Sequence, residues 1–280
     1  MCMGFGCNAC GVIGCRIIDS PRERLIAILT NNFVPCNGRL PTLVALISMF
    51  LAGAFHFSSL ASALILTGLI LLGIIATLLV SRLLSATMLS GMPSSFVLEL
   101  PPYRKPQFGQ VILRSIFDRT LFVLGRAVSV AAPAGIIIWI LANISIGDSS
   151  ILQHCTSFLD PIARWIGLDG VILLAFVLGF PANEIVIPII LMSYLATGRM
   201  VEYESLEQLK ALLIANGWTI KTAICTLILC LFHFPCGTTC QTIYKETKSI
   251  KWTAVSIALP TAIGVLLCFI VAMGFKLFGY

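Results

Sequence analysis

Residues 40–81 contain no Asp, Glu, Lys or Arg, and residues 127–147, 222–244 and 252–275 are equally free of charge. A helix crossing the hydrocarbon core of a bilayer needs about 20 such residues, so the first run is long enough for two crossings. Backbone groups in lipid must bond within their own segment. Runs this long and uniform suit helices rather than the alternating strands of a barrel. The expected fold class is therefore all-α, a polytopic transmembrane helical protein. Composition points the same way. Only 11% of the 280 residues are charged and 58% are hydrophobic, whereas a soluble domain carries about 25% charged residues.

The charges that remain sit at the ends of apolar runs. In the 82–126 connection Arg82, Arg104, Lys105, Arg114, Arg119 and Arg126 outnumber Glu99 and Asp118, which marks it as a cytoplasmic loop by the positive-inside rule. Tracing back through two crossings puts Arg16, Arg22, Arg24 and Arg39 on the same side. A net charge of +6 distributed in this way gives no reason to expect a nucleic-acid partner; the expected surroundings are membrane lipid. Eleven cysteines in a long apolar chain do not read as a disulfide scaffold.

Local signals divide the chain. Ser20-Pro21-Arg22-Glu23 is a helix start, with a serine cap, proline at the first helical position and a glutamate that completes a capping box. The helix ends at Pro35-Cys36-Asn37-Gly38, too soon to cross, which predicts a half-helix or re-entrant element. Residues 98–106, with Pro101, Pro102 and Pro106, form a stiff connector. Gln110, Arg114 and Asp118 share one face of an interfacial amphipathic helix. Residues 199–220 read as an extramembrane insertion, opened by Ser205 and closed by Asn216-Gly217.

An internal repeat organises the whole. Gly4-Phe5-Gly6-Cys7-Asn8 matches Gly179-Phe180-Pro181-Ala182-Asn183, and each is followed by a Pro-Cys break, Pro35-Cys36 and Pro235-Cys236. Asn8 lies 28 positions before Cys36 and Asn183 lies 53 before Cys236, a difference close to the length of the 199–220 insertion. The expected organisation is residues 1–81 as the remainder of a first repeat with a following helical hairpin, 82–109 as a cytoplasmic connector, and 110–280 as the second repeat with a C-terminal crossing. The first motif comes so early that the chain is expected to begin midway through its first repeat.

Paired helix interruptions in corresponding positions of two repeats are the strongest sequence pointer to a transport site. They nominate Gly4, Gly6, Pro35, Gly179, Pro181 and Pro235 as the breaks. Glu184 is the one charge in residues 170–198, and an intramembrane carboxylate usually faces a pathway. Cys7, Cys36 and Cys236 sit at breaks, where thiols meet free carbonyls; with Asn8, Asn183 and Glu184 they compose a mixed sulfur and oxygen set suited to a borderline divalent metal. Cys10, Cys15 and Cys240 are weaker candidates, because a lone C-x-x-C lacks the second pair of a zinc site. Cys225, Cys230 and Cys268 read as small hydrophobes, and His56, His154 and His233 as turn and interface residues. There is no G-x-x-x-x-G-K-[ST] phosphate loop and no evident triad, so no enzyme activity and no bound cofactor are expected.

These motifs, together with Glu99-Leu100-Pro101-Pro102-Tyr103 and Tyr244-Lys245-Glu246-Thr247, closely resemble the membrane region of FeoB ferrous-iron transporters, over essentially the whole chain. The resemblance implies uptake of Fe(II), as the transported ion, across a bacterial inner membrane through two gate repeats. It places the family's proposed iron-path cysteines on Cys7, Cys36 and Cys236. It also implies partners: an upstream GTPase-containing segment in cis or in trans, small cytosolic accessory proteins of the ferrous system, and a homo-oligomer. Any GTP hydrolysis would belong to the upstream domain. The rival readings are an inactive fragment or partner-assembled subunit, a membrane thiol oxidoreductase using Cys7/Cys10 or Cys236/Cys240, and a gate-type transporter of an organic solute.

Overall fold

The computed structural model describes residues 2–52, 58–88, 109, 122–146, 149–195 and 205–277. The connector at 98–106, the amphipathic helix expected from Gln110 to Leu121 and His56 lie outside the described residues. What is described is helical apart from one two-residue antiparallel pairing of Ser145–Ile146 with Ser149–Ser150.

The first half begins with α1 (Cys2–Gly6), α2 (Asn8–Gly14) and α3 (Pro21–Thr30), each shorter than a membrane crossing. Ser20 caps α3, its Oγ accepting from the Glu23 N–H, with Pro21 in the first turn. A 3-10 turn, Asn31–Phe33, leads to the Pro35-Cys36 break. Then α4 (Leu40–Leu46) runs into a π-helical segment, Ile47–Ala52, and the long α5 (Ser58–Ala86) follows.

In the second half α6 (Phe122–Asn143) precedes α7 (Ile151–Trp165) and α8 (Gly170–Leu178). The last two form one apolar pair bent by 108°. Reciprocal bonds between Ser150 and Gln153 start α7, and Asp169 Oδ1 accepts the Ile172 N–H to start α8. After the break at Gly179–Asn183 come α9 (Val186–Leu195) and α10 (Leu206–Ala215), then α11 (Ile220–Phe232), α12 (Gly237–Thr247) and α13 (Ile250–Leu277). Ser205 caps α10 by accepting from the Gln208 N–H, and Gly217 ends it at φ 87°. Only glycine adopts that left-handed backbone without cost.

Three described segments are long and apolar enough to cross a membrane: Ser59–Ala86, Ile220–Thr247 and Ile250–Leu277. They differ in place. In their most apolar stretches 17%, 72% and 22% of residues are buried, so the middle one is the axis and the others are the rim. Rim residues such as Leu64, Leu78 and Leu79 on α5 and Leu266 and Ile270 on α13 are exposed, as lipid-facing side chains must be. The axis is packed from both halves. Ile172, Phe176 and Ile189 join Leu46, Ile47 and Cys225 in the main core; Leu29, Phe33, Val80, Leu231 and Phe232 form a second; Val12, Ile28 and Ile243 form a third.

Cys225 and Cys268 hold α11 to α13 through thiol contacts with each other's carbonyl, as buried small residues. The same interface needs Gly264, where an added Cβ would lie 2.8 Å from the Phe232 carbonyl oxygen. Backbone cannot yield there as a flexible side chain can. Gly264→Ala is therefore expected to destabilise the detergent-solubilised protein by about 1–3 kcal/mol. Gly274→Ala on the same helix has no atom within 4 Å of the new methyl and should change stability by less than about 0.5 kcal/mol. Thermal unfolding of the two variants side by side checks this.

Candidate functional site

The two G-F-x-x-N motifs share a backbone conformation at the residue before the asparagine. Cys7 interrupts α1 and α2 with extended backbone, φ −150° and ψ 125°, and Ala182, its counterpart, has φ −151° and ψ 123°. In each half the first break is bonded to the second. The Asn37 N–H donates to the Gly6 carbonyl at 3.3 Å, and the Gly237 N–H donates to the Phe180 carbonyl at 2.7 Å.

Between these breaks lies a knot of buried polar groups. Asn8 Nδ2 donates to Asn32 Oδ1, Asn31 Nδ2 to the Asn8 carbonyl, and Asn32 Nδ2 to the His233 carbonyl, all within 2.9–3.0 Å. The Asn31 amide fits because Gly4 and Gly11 flank it; a Cβ on Gly11 would meet its Oδ1 at 2.4 Å. Arg39 completes the knot. Its guanidinium, 0% exposed, donates to the carbonyls of Asn32, Leu231, His233 and Phe234 and to Asn32 Oδ1, at 2.9–3.3 Å. The placement of Arg39 at a membrane surface is thus overturned. Its long side chain reaches inward because the broken helices leave carbonyls there that only a multiple donor can satisfy.

His233 is also central. Its Nδ1 lies 3.1 and 2.9 Å from the Leu229 and Cys230 carbonyls, and its Nε2 lies 3.1 Å from the Asn183 amide. The atom of Asn183 that faces the ring is Oδ1, and at its other end Nδ2 donates to Cys36 Sγ at 3.8 Å.

Of the nominated residues the structure brings Cys36 and Asn183 into direct contact, and it ties the Cys236 break to the other two: Arg39 bonds both the Cys36 and the Phe234 carbonyls, and Gly237 bonds the Phe180 carbonyl. Cys236 caps no backbone group; its thiol pairs with Thr239 Oγ1 at 3.2 Å. Glu184 is exposed, with its carboxylate beside Gly38, where a Cβ would lie 2.9 Å from Oε1. Asn8 directs its amide to Asn32 rather than to a thiol. It faces the polar knot, and its Oδ1 is buried without a partner, as is that of Asn31. Cys15 and Cys240 are engaged with the carbonyls of Gly11 and Pro235. All eleven thiols are free rather than disulfide-bonded. Among the described residues no three His, Cys, Asp or Glu side chains stand close enough to hold a metal ion.

The sequence reading missed Arg39, Asn31, Asn32 and the bonding role of His233. An Asn-Asn pair inside an otherwise apolar helix end was the available signal, since buried amides need partners. A second network, also missed, joins Asp169 Oδ2 to the Tyr194 hydroxyl, which accepts from Trp218 Nε1 at 2.8 Å while Trp218 stacks on Phe50. It ties the 199–220 segment to α8, α9 and the π-helical segment.

Thiol reactivity tests the placement. In solubilised single-cysteine proteins, half-buried Cys7 and Cys236 should react readily with a maleimide. Cys36, only 9% exposed, should react at least about tenfold more slowly, because access limits thiol chemistry. Equal rates for all three would contradict the arrangement.

Known proteins resemble this chain in a consistent way. The family described as "Ferrous iron transport protein B C terminus" matches residues 66–118, and the gate family described as "Nucleoside recognition" matches residues 124–250. A protein named Fe(2+) transporter FeoB from Synechocystis is 28% identical over 281 residues, covering 99% of this chain and 43% of that protein. One so named from Staphylococcus aureus is 30% identical, with 96% and 39% covered, and one from Leptospira interrogans is 27% identical, with 97% and 42% covered. The chain thus spans about two fifths of the length of these relatives. No solved structure matches it.

Proposed function

We propose that this chain, which belongs to the ferrous iron transport protein B family and corresponds to its C-terminal membrane portion, forms the path by which Fe(II) crosses a bacterial inner membrane. The observation that carries this reading is the meeting of helix breaks from both halves, with Cys36 against Asn183 and the chain leading into Cys236 bonded to Arg39. Fe(II) is a borderline ion, accepting thiolate sulfur as well as amide and carbonyl oxygen. At helix breaks these donors stand beside free backbone, the setting transporters use for ions.

In this reading Cys7, Cys36 and Cys236 exchange for water ligands of the moving ion, Asn183 turns its amide oxygen to the ion beside Cys36, and Glu184 draws the cation toward the breaks. Asn8 supplies oxygen on the first-half side. The two halves are a repeat, supported by the shared backbone conformation at Cys7 and Ala182. Residues 1–81 and 110–280 are its two units, 82–109 is a cytoplasmic connector, and 199–220 is an insertion outside the membrane. The chain catalyses no reaction and holds no resident cofactor. Its control comes from an upstream GTPase-containing segment, joined in cis or in trans, with small cytosolic accessory proteins and assembly into a homo-oligomer as further partners. The relatives described above carry the ferrous-iron name, and no observation favours the thiol oxidoreductase, organic-solute or inert-fragment readings over it.

Anaerobic Fe(II) uptake in cells lacking their own ferrous system is the test, with this chain expressed alone and with the upstream segment. Uptake is expected with the segment present. It should fall at least about tenfold in Cys36→Ser or Cys236→Ser, since hydroxyls are poor replacements for thiolate toward a borderline metal. Normal membrane insertion without uptake in either arrangement refutes the assignment.

A further inference from the structure

Arg39 is the largest fully buried side chain among the described residues, and it meets no carboxylate. Ion pairs among those residues, such as Arg16–Glu246 and Arg164–Asp160, lie nearer the surface. A buried cation without a counter-charge is costly unless other dipoles stabilise it. Here the carbonyls of Leu231, His233 and Phe234 do so. They lie at the C-terminal end of α11, where the helix dipole concentrates partial negative charge.

The position of these carbonyls gives the guanidinium a second consequence. They belong to the residues that run directly into Pro235-Cys236, while Arg39 itself follows Cys36 by three residues and bonds its N–H to the Cys36 carbonyl at 2.9 Å. The Phe234 carbonyl is two residues from Cys236 along the chain and the Cys36 carbonyl is held by the Arg39 N–H, so an ion passing either thiol would pass the flank of this cluster. The guanidinium already occupies the cluster. It also places a fixed positive charge there, and like charges repel strongly where the dielectric constant is low.

We propose that Arg39 sets the cation affinity of the path: its guanidinium fills the carbonyl cluster at the α11 break, and its fixed charge keeps a passing metal ion weakly held. Conduction requires sites that bind enough to admit an ion yet release it. A carbonyl cluster beside two thiols, left unoccupied, would act as a trap. Arg39 is thus a positioning residue, acting through the carbonyls and the charge it brings. The proposal rests on the Fe(II) reading above and assigns the residue that tunes it.

Initial rates of anaerobic Fe(II) uptake against Fe(II) concentration, with the upstream GTPase segment present, test it. Arg39→Met should lower KM about tenfold and lower Vmax by a similar factor, the signature of an ion held too tightly. Arg39→Lys keeps the charge and should leave KM within about twofold of wild type. Asn32→Asp leaves Arg39 in place and sets a carboxylate against its guanidinium, where Asn32 Oδ1 now accepts at 3.2 Å, while giving up the amide bond to the His233 carbonyl. With no volume lost, it should shift KM in the same direction as Arg39→Met, and it decides the matter if the methionine variant fails to accumulate. Unchanged KM in Asn32→Asp, with Vmax tracking only the amount of protein in the membrane, would reduce Arg39 to a packing brace and overturn the proposal. Absence of uptake by the wild-type protein would instead refute the transport reading itself, before any variant is compared.

Discussion

Carbonyls released at helix breaks, and the donors found for them, govern this molecule. Interrupting a helix inside an apolar body leaves backbone groups unpaired, and each is costly without a partner. At the centre of this chain the partners are side chains: the Arg39 guanidinium and the amides of Asn31 and Asn32. Once those bonds are made the broken geometry is held. Cys36, Cys236 and Asn183 keep their relative places because the chain just before and after them is tied down.

The same bonds make the halves interdependent. Asn32 and Arg39 come from the first half, yet they satisfy the Leu231, His233 and Phe234 carbonyls of the second. Ile243 of α12 packs with Val12 and Ile28, and Arg16 pairs with Glu246 at the outer end of that contact. Arg22 reaches Ser85, bringing the end of α5 to the same side. Displacing α12 relative to α2 would therefore strain the knot and alter the distance from Cys236 to Cys36. A regulatory segment acting on the exposed ends of these helices would have a mechanical route to the thiols.

Local signals were legible in the sequence and long-range ones were not. Ser20, Ser205 and the Asn216-Gly217 stop could be read because caps and left-handed turns depend on residues within one helical turn. The breaks at Cys7 and at Gly179–Asn183 could be read because glycine and proline act on their own backbone. Helix α7 escaped notice although Ser150 and Gln153 mark its start, since its amphipathic face carries few charges to set it off from the crossing before it. Arg39 was misplaced for a different reason. The positive-inside rule treats every arginine at the end of an apolar run as a surface charge. Whether one turns inward depends on carbonyls contributed by residues about 190 positions away, which no local pattern encodes.

The exposed surface of the chain has two characters. The outer faces of α5 and α13 are continuous aliphatic surface, suited to lipid. The surface at the breaks is different: Gly6, Asn37, Phe180 and Glu184 are exposed there, with Cys7 and Cys236 half-buried beside them. Irregular backbone and a carboxylate are stable at membrane depth only against protein or water, because hydrocarbon offers neither donors nor acceptors. If the breaks lie at that depth, their face lines an aqueous cavity or meets another protein surface, while the rim helices take the lipid. The polar knot behind the face is then what a cavity of this kind requires. It is a wall whose exposed carbonyls are met by side-chain donors from both halves, with the Glu184 carboxylate on its outer side.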